Sequence, residues 1–470
     1  MGVLDAPSVP LTAIAPKTAL PAGLGWDSTF SITPTLSDAF GPVGVVGDCG
    51  YTPEALFGRY SNALTAPATT LYVDRAAATD TADGSSWANA IQSLKRAVDL
   101  VNAATGPVLV YVKGGIYERT LSFYYGSVTI NAEVAFVAVG GRVVTGTFDL
   151  FTSSTPDGTY ANCYTLSVAN CDRVLDTATP NRFGNHTELT QVASAALCNA
   201  TPGSWFLTGS TLYIHRADGS AITTTNTRVF RNQTQNFYVN SPKHLYIGGA
   251  GRGYGFDFEG ATNGAVVVLA NPGSTTTVAA AVIVNSTAKY GGGAINTGVN
   301  GFGYSSWNGI VAFFNCGADA NASDGFNGHN AQGNPKAFGL TVNCSARDNG
   351  RGSQQSCQGL TIHEDMKWVD IAGWYERNRG GNIRNINSSK MYCLGTLLRD
   401  DLGDLRIGGA MPPTGVRLDD TAEGWFERVK IDQPRGQAAW ATGTSTAKIH
   451  RRSCLAVAQQ DTGPGVFDAY

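Results

Sequence analysis

Two histidines and three carboxylates have the types and spacing to do acid-base chemistry in this chain. His329 closes Asp324-Gly325-Phe326-Asn327-Gly328-His329, and His363 opens His363-Glu364-Asp365; only six histidines occur in 470 residues. Glycoside cleavage uses such groups, one protonating the leaving oxygen and another acting as base or nucleophile. Glu364 and Asp365 are the best acid or base, because they alone pair adjacent carboxylates with an imidazole. Burial beside a like charge would raise one carboxyl pKa, as a general acid requires. Nearby, Trp368, Trp374 and Tyr375 are flat rings suited to sugars, and Arg377 and Arg384 are cations suited to a uronate. The plainer alternative is structural. Asp324-Gly325 and Asp348-Asn349-Gly350 are good turn formers, His329 and His363 could be packing residues, and Trp368 and Trp374 would share a face, as a core stack, if one strand carried both.

What must position these residues is a repeat. Val282-Ile283-Val284-Asn285, Ala312-Phe313-Phe314-Asn315-Cys316 and Leu340-Thr341-Val342-Asn343-Cys344 share one register, with spacings of 30 and 28 residues between the asparagines and 27 from Asn343 to Asp370. Val, Ile and Phe fill the runs; Gly, Asn and Asp fill the segments between. Short strands joined by tight corners, each unit too small to bury its own apolar face, make a stacked solenoid. Rungs about 4.8 Å apart bring equivalent polar positions into one column, which places Asp324, Asn327 and His329 beside His363, Glu364 and Asp365. The expected fold is all-β, a parallel β-helix over residues 71 to 431.

An open apolar end would aggregate, so the first rung needs a lid. Ile91, Leu94, Ala97, Val98 and Val101 recur at helical spacing and predict a capping helix from about Trp87 to Ala104, with Ser86 as its N-cap. Residues 1 to 70, rich in Pro, Ala and Thr, predict an arm with little core of its own. Between about 146 and 231 the texture changes. Trp205-Phe206-Leu207, Gly209-Ser210 and Leu212-Tyr213-Ile214-His215 predict a hairpin-bearing insertion. Residues 432 to 470 predict an irregular tail over the last rung.

The run Tyr72-Val73-Asp74, Asp83-Gly84-Ser85-Ser86-Trp87-Ala88-Asn89-Ala90 and Gly114-Gly115-Ile116-Tyr117 resembles the opening of right-handed parallel β-helix proteins of the pectate-lyase-like superfamily. Farther on, Asp324 to His329, Asp348-Asn349-Gly350-Arg351-Gly352 and Tyr375-Glu376-Arg377-Asn378-Arg379-Gly380-Gly381-Asn382 look like repeats common in bacteriophage tailspikes and related bacterial proteins. That superfamily holds lyases, hydrolases, epimerases and plain adhesins. The resemblance implies a spike that binds and cleaves host surface polysaccharide, assembles as a homotrimer, and attaches to other virion proteins through residues 1 to 70.

Composition narrows the classes further. Charged residues are 15% of the chain against about 25% in an ordinary domain, and net charge is −3, so no basic face for nucleic acid is expected. No run approaches the roughly 20 apolar residues of a membrane span. The opening Met1-Gly2-Val3-Leu4-Asp5-Ala6-Pro7 has no secretion-signal character, which predicts synthesis in the host cytoplasm and release within a virion. Nine cysteines show no paired metal-ligand spacing; Cys316 and Cys344 should stack inside adjacent rungs, and a disulfide among Cys163, Cys171 and Cys198 stays open. No metal or cofactor is expected.

Two other readings stand beside the spike that cleaves. One is a bacterial polysaccharide lyase or hydrolase with no virion; as a lyase it would need a base and a Ca²⁺ or Arg cluster, for which Asp400-Asp401, Asp404 and Asp419-Asp420, or Arg351, Arg377, Arg379 and Arg384, are the candidates. A purely adhesive spike would keep only the scaffold.

Overall fold

A computed structural model describes residues 19–41, 44–123, 130–232, 235–240, 243–270, 277–293, 298–350, 357–399, 414–432, 437–441, 446–457, 461–462 and 466–469. Arg351, Asp400, Asp401 and Asp404 lie outside the described residues.

Parallel strands cannot be joined by a tight hairpin, and this chain meets that constraint by pairing each strand with one a full turn later. Ala279–Val284 pairs in parallel with Gly309–Phe314, which pairs with Ala337–Val342, then Lys367–Ile371, Lys390–Leu394 and Glu423–Glu427. This first stack begins at Thr69–Val73. A second stack carries Thr287–Gly291, Gly317–Asp319, Ser345–Arg347 and Trp374–Glu376. The third has nine strands among the described residues, including Asn300–Ser305, Phe326–His329, Leu360–Ile362, Ile383–Asn385 and Thr414–Leu418. The fold is a parallel β-helix.

Strand alternation sorts the apolar residues to two sides. Ile283, Val311, Phe313, Phe326, Leu360 and Ile383 point inward to one continuous core. Val282, Ala312, Leu340 and Val369 point outward, and their covering comes from the N-terminal segment, which adds Leu24, Phe30, Leu56 and Phe57 to a second cluster. Trp26 and Phe30 pack on Phe338 with ring centroids 5.0 and 5.2 Å apart, and Phe57 on Tyr246 at 5.5 Å. Burial of each such side chain stabilises by about 1.5–3 kcal/mol. The arm expected to have little core of its own is, over its described residues, a sheath bound to the solenoid; its contacts are long-range and leave no local periodicity in the sequence.

The corner asparagines have a conformational reason. Asn285, Asn315 and Asn343 have φ of 48°, 53° and 53°, a left-handed turn that asparagine tolerates better than most residues. Because Val342 pairs with Ile371, the next corner is Ala372, two residues beyond the Asp370 expected from spacing. Asp370 therefore lies inside the coil, fully buried, accepting from the hydroxyls of Thr341 and Tyr375 at 2.7 and 2.8 Å and from Thr396. At the following corner a buried ladder runs inside: Asn321 N–H donates to Asn349 Oδ1, and Asn349 Nδ2 to Asn378 Oδ1 at 2.8 Å. Cys316 and Cys344 stack as expected, Cys316 N–H lying 3.4 Å from Cys344 Sγ. All nine cysteines are free, so Cys163, Cys171 and Cys198 form no disulfide.

Two boundaries move, at the capping helix and at the tail. The capping helix is Leu94–Ala103 with Ser93 as N-cap, because Ile91 is held as a bridge to Val73 and Ser86 caps only a turn at Asn89. The insertion forms two small antiparallel-rich sheets, including the expected hairpin of Ser204–Thr208 with Thr211–His215. The irregular tail from 432 is corrected: Lys448–Arg452, Leu455–Val457 and Val466–Ala469 continue the coil. Lys448-Ile449-His450-Arg451-Arg452 lacks the apolar run that marks earlier rungs, which is why the sequence hides it.

Candidate functional site

The coil has three lateral faces, and the chain covers much of two. The sheath lies on the first stack. The insertion lies on the second, where Phe230 packs against Tyr290, Arg173 donates to Ala320 O at 3.4 Å, Arg182 pairs with Glu376, and Phe183 meets Trp374 at 6.0 Å. The third stack ends in a corner that presents polar side chains from successive rungs.

In third-stack strands Phe326, Leu360, Ile383 and Val416 face the core, so Asn327, Thr361, Arg384 and Arg417 face out. Two residues beyond, His329 and His363 also face out and stack with ring centroids 3.9 Å apart and planes 16° from parallel. Glu364 turns the corner with φ +55°, aligned with left-handed Ser306, Asn387 and Asp420 in other rungs. The corner residues form a chain of hydrogen bonds. Glu364 Oε2 accepts from Asn330 N–H at 2.8 Å, Asn387 Oδ1 from Glu364 N–H at 3.1 Å, and Asp420 Oδ2 from Asn387 N–H at 3.0 Å. Glu364 Oε1 also lies 3.3 Å from His329 Nδ1, and Asn330 Nδ2 donates to Asp365 Oδ1 at 2.6 Å. Glutamate in the left-handed region is uncommon, and here its carboxylate meets the His329 imidazole.

The electrostatics differ from expectation. Burial alone would raise the Glu364 pKa, but the His329 hydrogen bond, the Asn330 N–H and the neighbouring imidazoles outweigh it and hold the carboxyl below its ordinary value. The raised carboxyl expected of a general acid is therefore not Glu364. Burial, and then the His329 ring, lower His363 to about 4, which keeps it neutral near neutral pH.

His329, His363, Glu364 and Asp365 come together. Asp324 does not: fully buried, it accepts from Gln358 N–H and Asn327 Nδ2, both at 2.7 Å, at the opposite end of its strand. Trp368 and Tyr375 are not platforms. Both are core residues, Trp368 Nε1 donating to Thr341 Oγ1 at 3.0 Å and Tyr375 to Asp370. The corner at Ala372 breaks the strand, so Trp368 faces in while Trp374 faces out beneath Phe183 and Arg347. Arg377 donates to Asp348 Oδ1 at 2.7 Å, away from the histidines. Arg384 is near the corner, tied to Asp419 at 2.8 Å, and Arg417 holds the other oxygen of that carboxylate at 2.9 Å. Asp419 thus serves the arginines, and Asp420 the corner. Asn330, which orients both carboxylates, and Arg417 escaped the sequence reading. Asn330 directly follows His329, and that adjacency was the available signal.

The winding is that of a parallel β-helix. No protein-family model matches the chain, and no curated protein does. Among solved structures it is similar to pectate lyase Pel9A (TM-score 0.41, 12% identity, over 86% of this chain and 80% of that one). It is similar also to XylC in complex with xylose (0.38, 8%, 84% and 70%) and to the gp54 tailspike of Acinetobacter baumannii bacteriophage AP22 with a capsular saccharide (0.25, 10%, 77% and 64%). Similarity at this level adds nothing to the strand register, and the register assigns the fold. No helix among the described residues is long and apolar enough to cross a membrane.

Proposed function

We propose that this chain is a bacteriophage spike that binds a host surface polysaccharide at the corner after the third stack and cleaves it there. One observation carries the reading: His329, His363, Glu364 and Asp365 converge on that corner, while the chain's own segments lie on the other two faces. Glu364 is the base or nucleophile, and Asp365, held by the same asparagine, is the second carboxylate of the pair. Arg384 and Arg417, one and two rungs beyond His363, suit an acidic sugar. The virion setting is supported by the resemblance of the repeats to tailspikes, and the homotrimer by the same resemblance.

The test is incubation with host capsule or lipopolysaccharide, followed by assays for reducing ends and unsaturated products. Glu364→Gln with Asp365→Asn should lower cleavage at least about a hundredfold while binding persists. Full activity in that variant would move the site elsewhere. A second reading, a purely adhesive spike, is favoured by the place of Glu364 in the corner's hydrogen-bond chain, a structural task that needs no catalysis. Inactivity of the parent on every host glycan would select it. Mass spectrometry of purified particles checks the virion setting, and a sedimentation mass near 49.3 kDa, that of one chain, would exclude the trimer.

A further inference from the structure

We propose that His329, His363 and Glu364 form a binding site for one divalent transition-metal ion of the Zn²⁺ class. A ligand atom from each of the three lies within 4.8 Å of the other two. In a tetrahedral site with bonds of about 2.1 Å the ligand atoms are about 3.4 Å apart, and His329 Nδ1 and Glu364 Oε1 already stand at 3.3 Å. His363 has to close in and its ring has to tilt out of the stack, because nitrogen lone pairs lie in the ring planes and two near-parallel planes do not converge on one ion. His329 and Glu364 side chains, 38% and 34% exposed, sit where such a tilt meets little resistance. Among the described residues neither ring nitrogen of His363 has a hydrogen-bond partner in protein, so its lone pair is available without breaking a bond.

The donor set chooses the metal. Two imidazole nitrogens and one carboxylate oxygen suit Zn²⁺, Co²⁺ or Ni²⁺, whereas Ca²⁺ and Mg²⁺ require more oxygens. Asn330 N–H on Glu364 Oε2 at 2.8 Å leaves Oε1 directed to the histidine, the kind of outer hydrogen bond that orients a ligand. Three protein ligands leave a coordination position open toward solvent. His329 stands 35 residues from Glu364, and the two meet through the stacking of rungs. Metal binding does not depend on any glycan.

The experiment uses the full chain after treatment with a chelator. Titration calorimetry and a thermal scan are run with ZnCl₂, CoCl₂ and CaCl₂, and the visible spectrum is recorded with Co²⁺. Expected are one Zn²⁺ or Co²⁺ per chain, an upward shift of the thermal midpoint with Zn²⁺, no thiolate charge-transfer band, and no response to Ca²⁺. His363→Ala should abolish binding, and His329→Gln should weaken it at least about tenfold, with the metal-free midpoint of each near that of the parent. Absence of Zn²⁺ binding at millimolar concentration, a thiolate band, or unchanged affinity in His363→Ala would overturn the proposal. None of these readouts involves saccharide, so a metal site can fail while glycan cleavage stands, or the reverse.

Discussion

The outward side of the first stack and the corner after the third are built from the same coil and meet opposite ends. Val282, Ala312, Leu340 and Val369 project apolar side chains that the chain must cover with its own residues, and it does so with Leu24, Phe30, Leu56 and Phe57. At the corner, His329 and Glu364 project polar groups that stay about one-third exposed. A parallel β-helix satisfies its backbone through rung-to-rung pairing on every face, so side-chain polarity alone decides which face needs a cover and which is left to a ligand.

Removal of the sheath should break that contrast most severely. Deleting residues 1–68 exposes an apolar surface several rungs tall, and we expect insoluble protein, or soluble protein that binds a hydrophobic dye. A soluble, cooperatively unfolding, dye-negative product would show the sheath to be dispensable. Phe57→Ala, a milder cut into the same interface, should cost about 3–5 kcal/mol in denaturant unfolding.

Much of the fold was legible because its corners demand a residue type. Asn285, Asn315 and Asn343 recur since each occupies a left-handed turn, and Cys316 and Cys344 mark the position just inside. Legibility failed where the constraint was not local. Once Ala372 replaced asparagine at the corner, spacing pointed to Asp370, two residues too early. The sheath's apolar residues answer to partners hundreds of positions away, and the last rungs are written in charged residues. At the site, the pairing of His329 with His363 followed from the rung period. The Glu364 pKa direction did not, since it depends on Asn330 and on how the carboxylate reaches back across the corner.

Inside the coil the asparagine ladder offers a smaller test. Asn349→Ala leaves buried partners at Asn321 and Ala318 unsatisfied and should cost about 1–3 kcal/mol, less than Phe57→Ala. An unchanged denaturation midpoint would mean that the ladder follows the fold without supporting it.

Asp370 gives the smallest effect and one that varies with pH. Burial raises its pKa above the ordinary carboxyl value in spite of the hydroxyls that donate to it. The folded chain therefore holds this proton to higher pH than the unfolded chain does. Its contribution to stability is greatest below the unfolded pKa and declines as pH rises through the folded value. Asp370→Asn removes that decline, so the variant should gain on the parent as pH rises from about 4 to about 8. A constant difference across that range would show that Asp370 does not titrate as its burial implies.

The corner that no described segment covers, and neither sheathed face, is expected to meet the glycan. Hydrogen exchange with and without an oligosaccharide of the host capsule measures this directly. Protection is predicted in residues 329–334, 363–367 and 386–389, with exchange in residues 19–68 and 195–215 unchanged. Protection confined to the sheath or the insertion, with the corner exchanging as in the free protein, would contradict it.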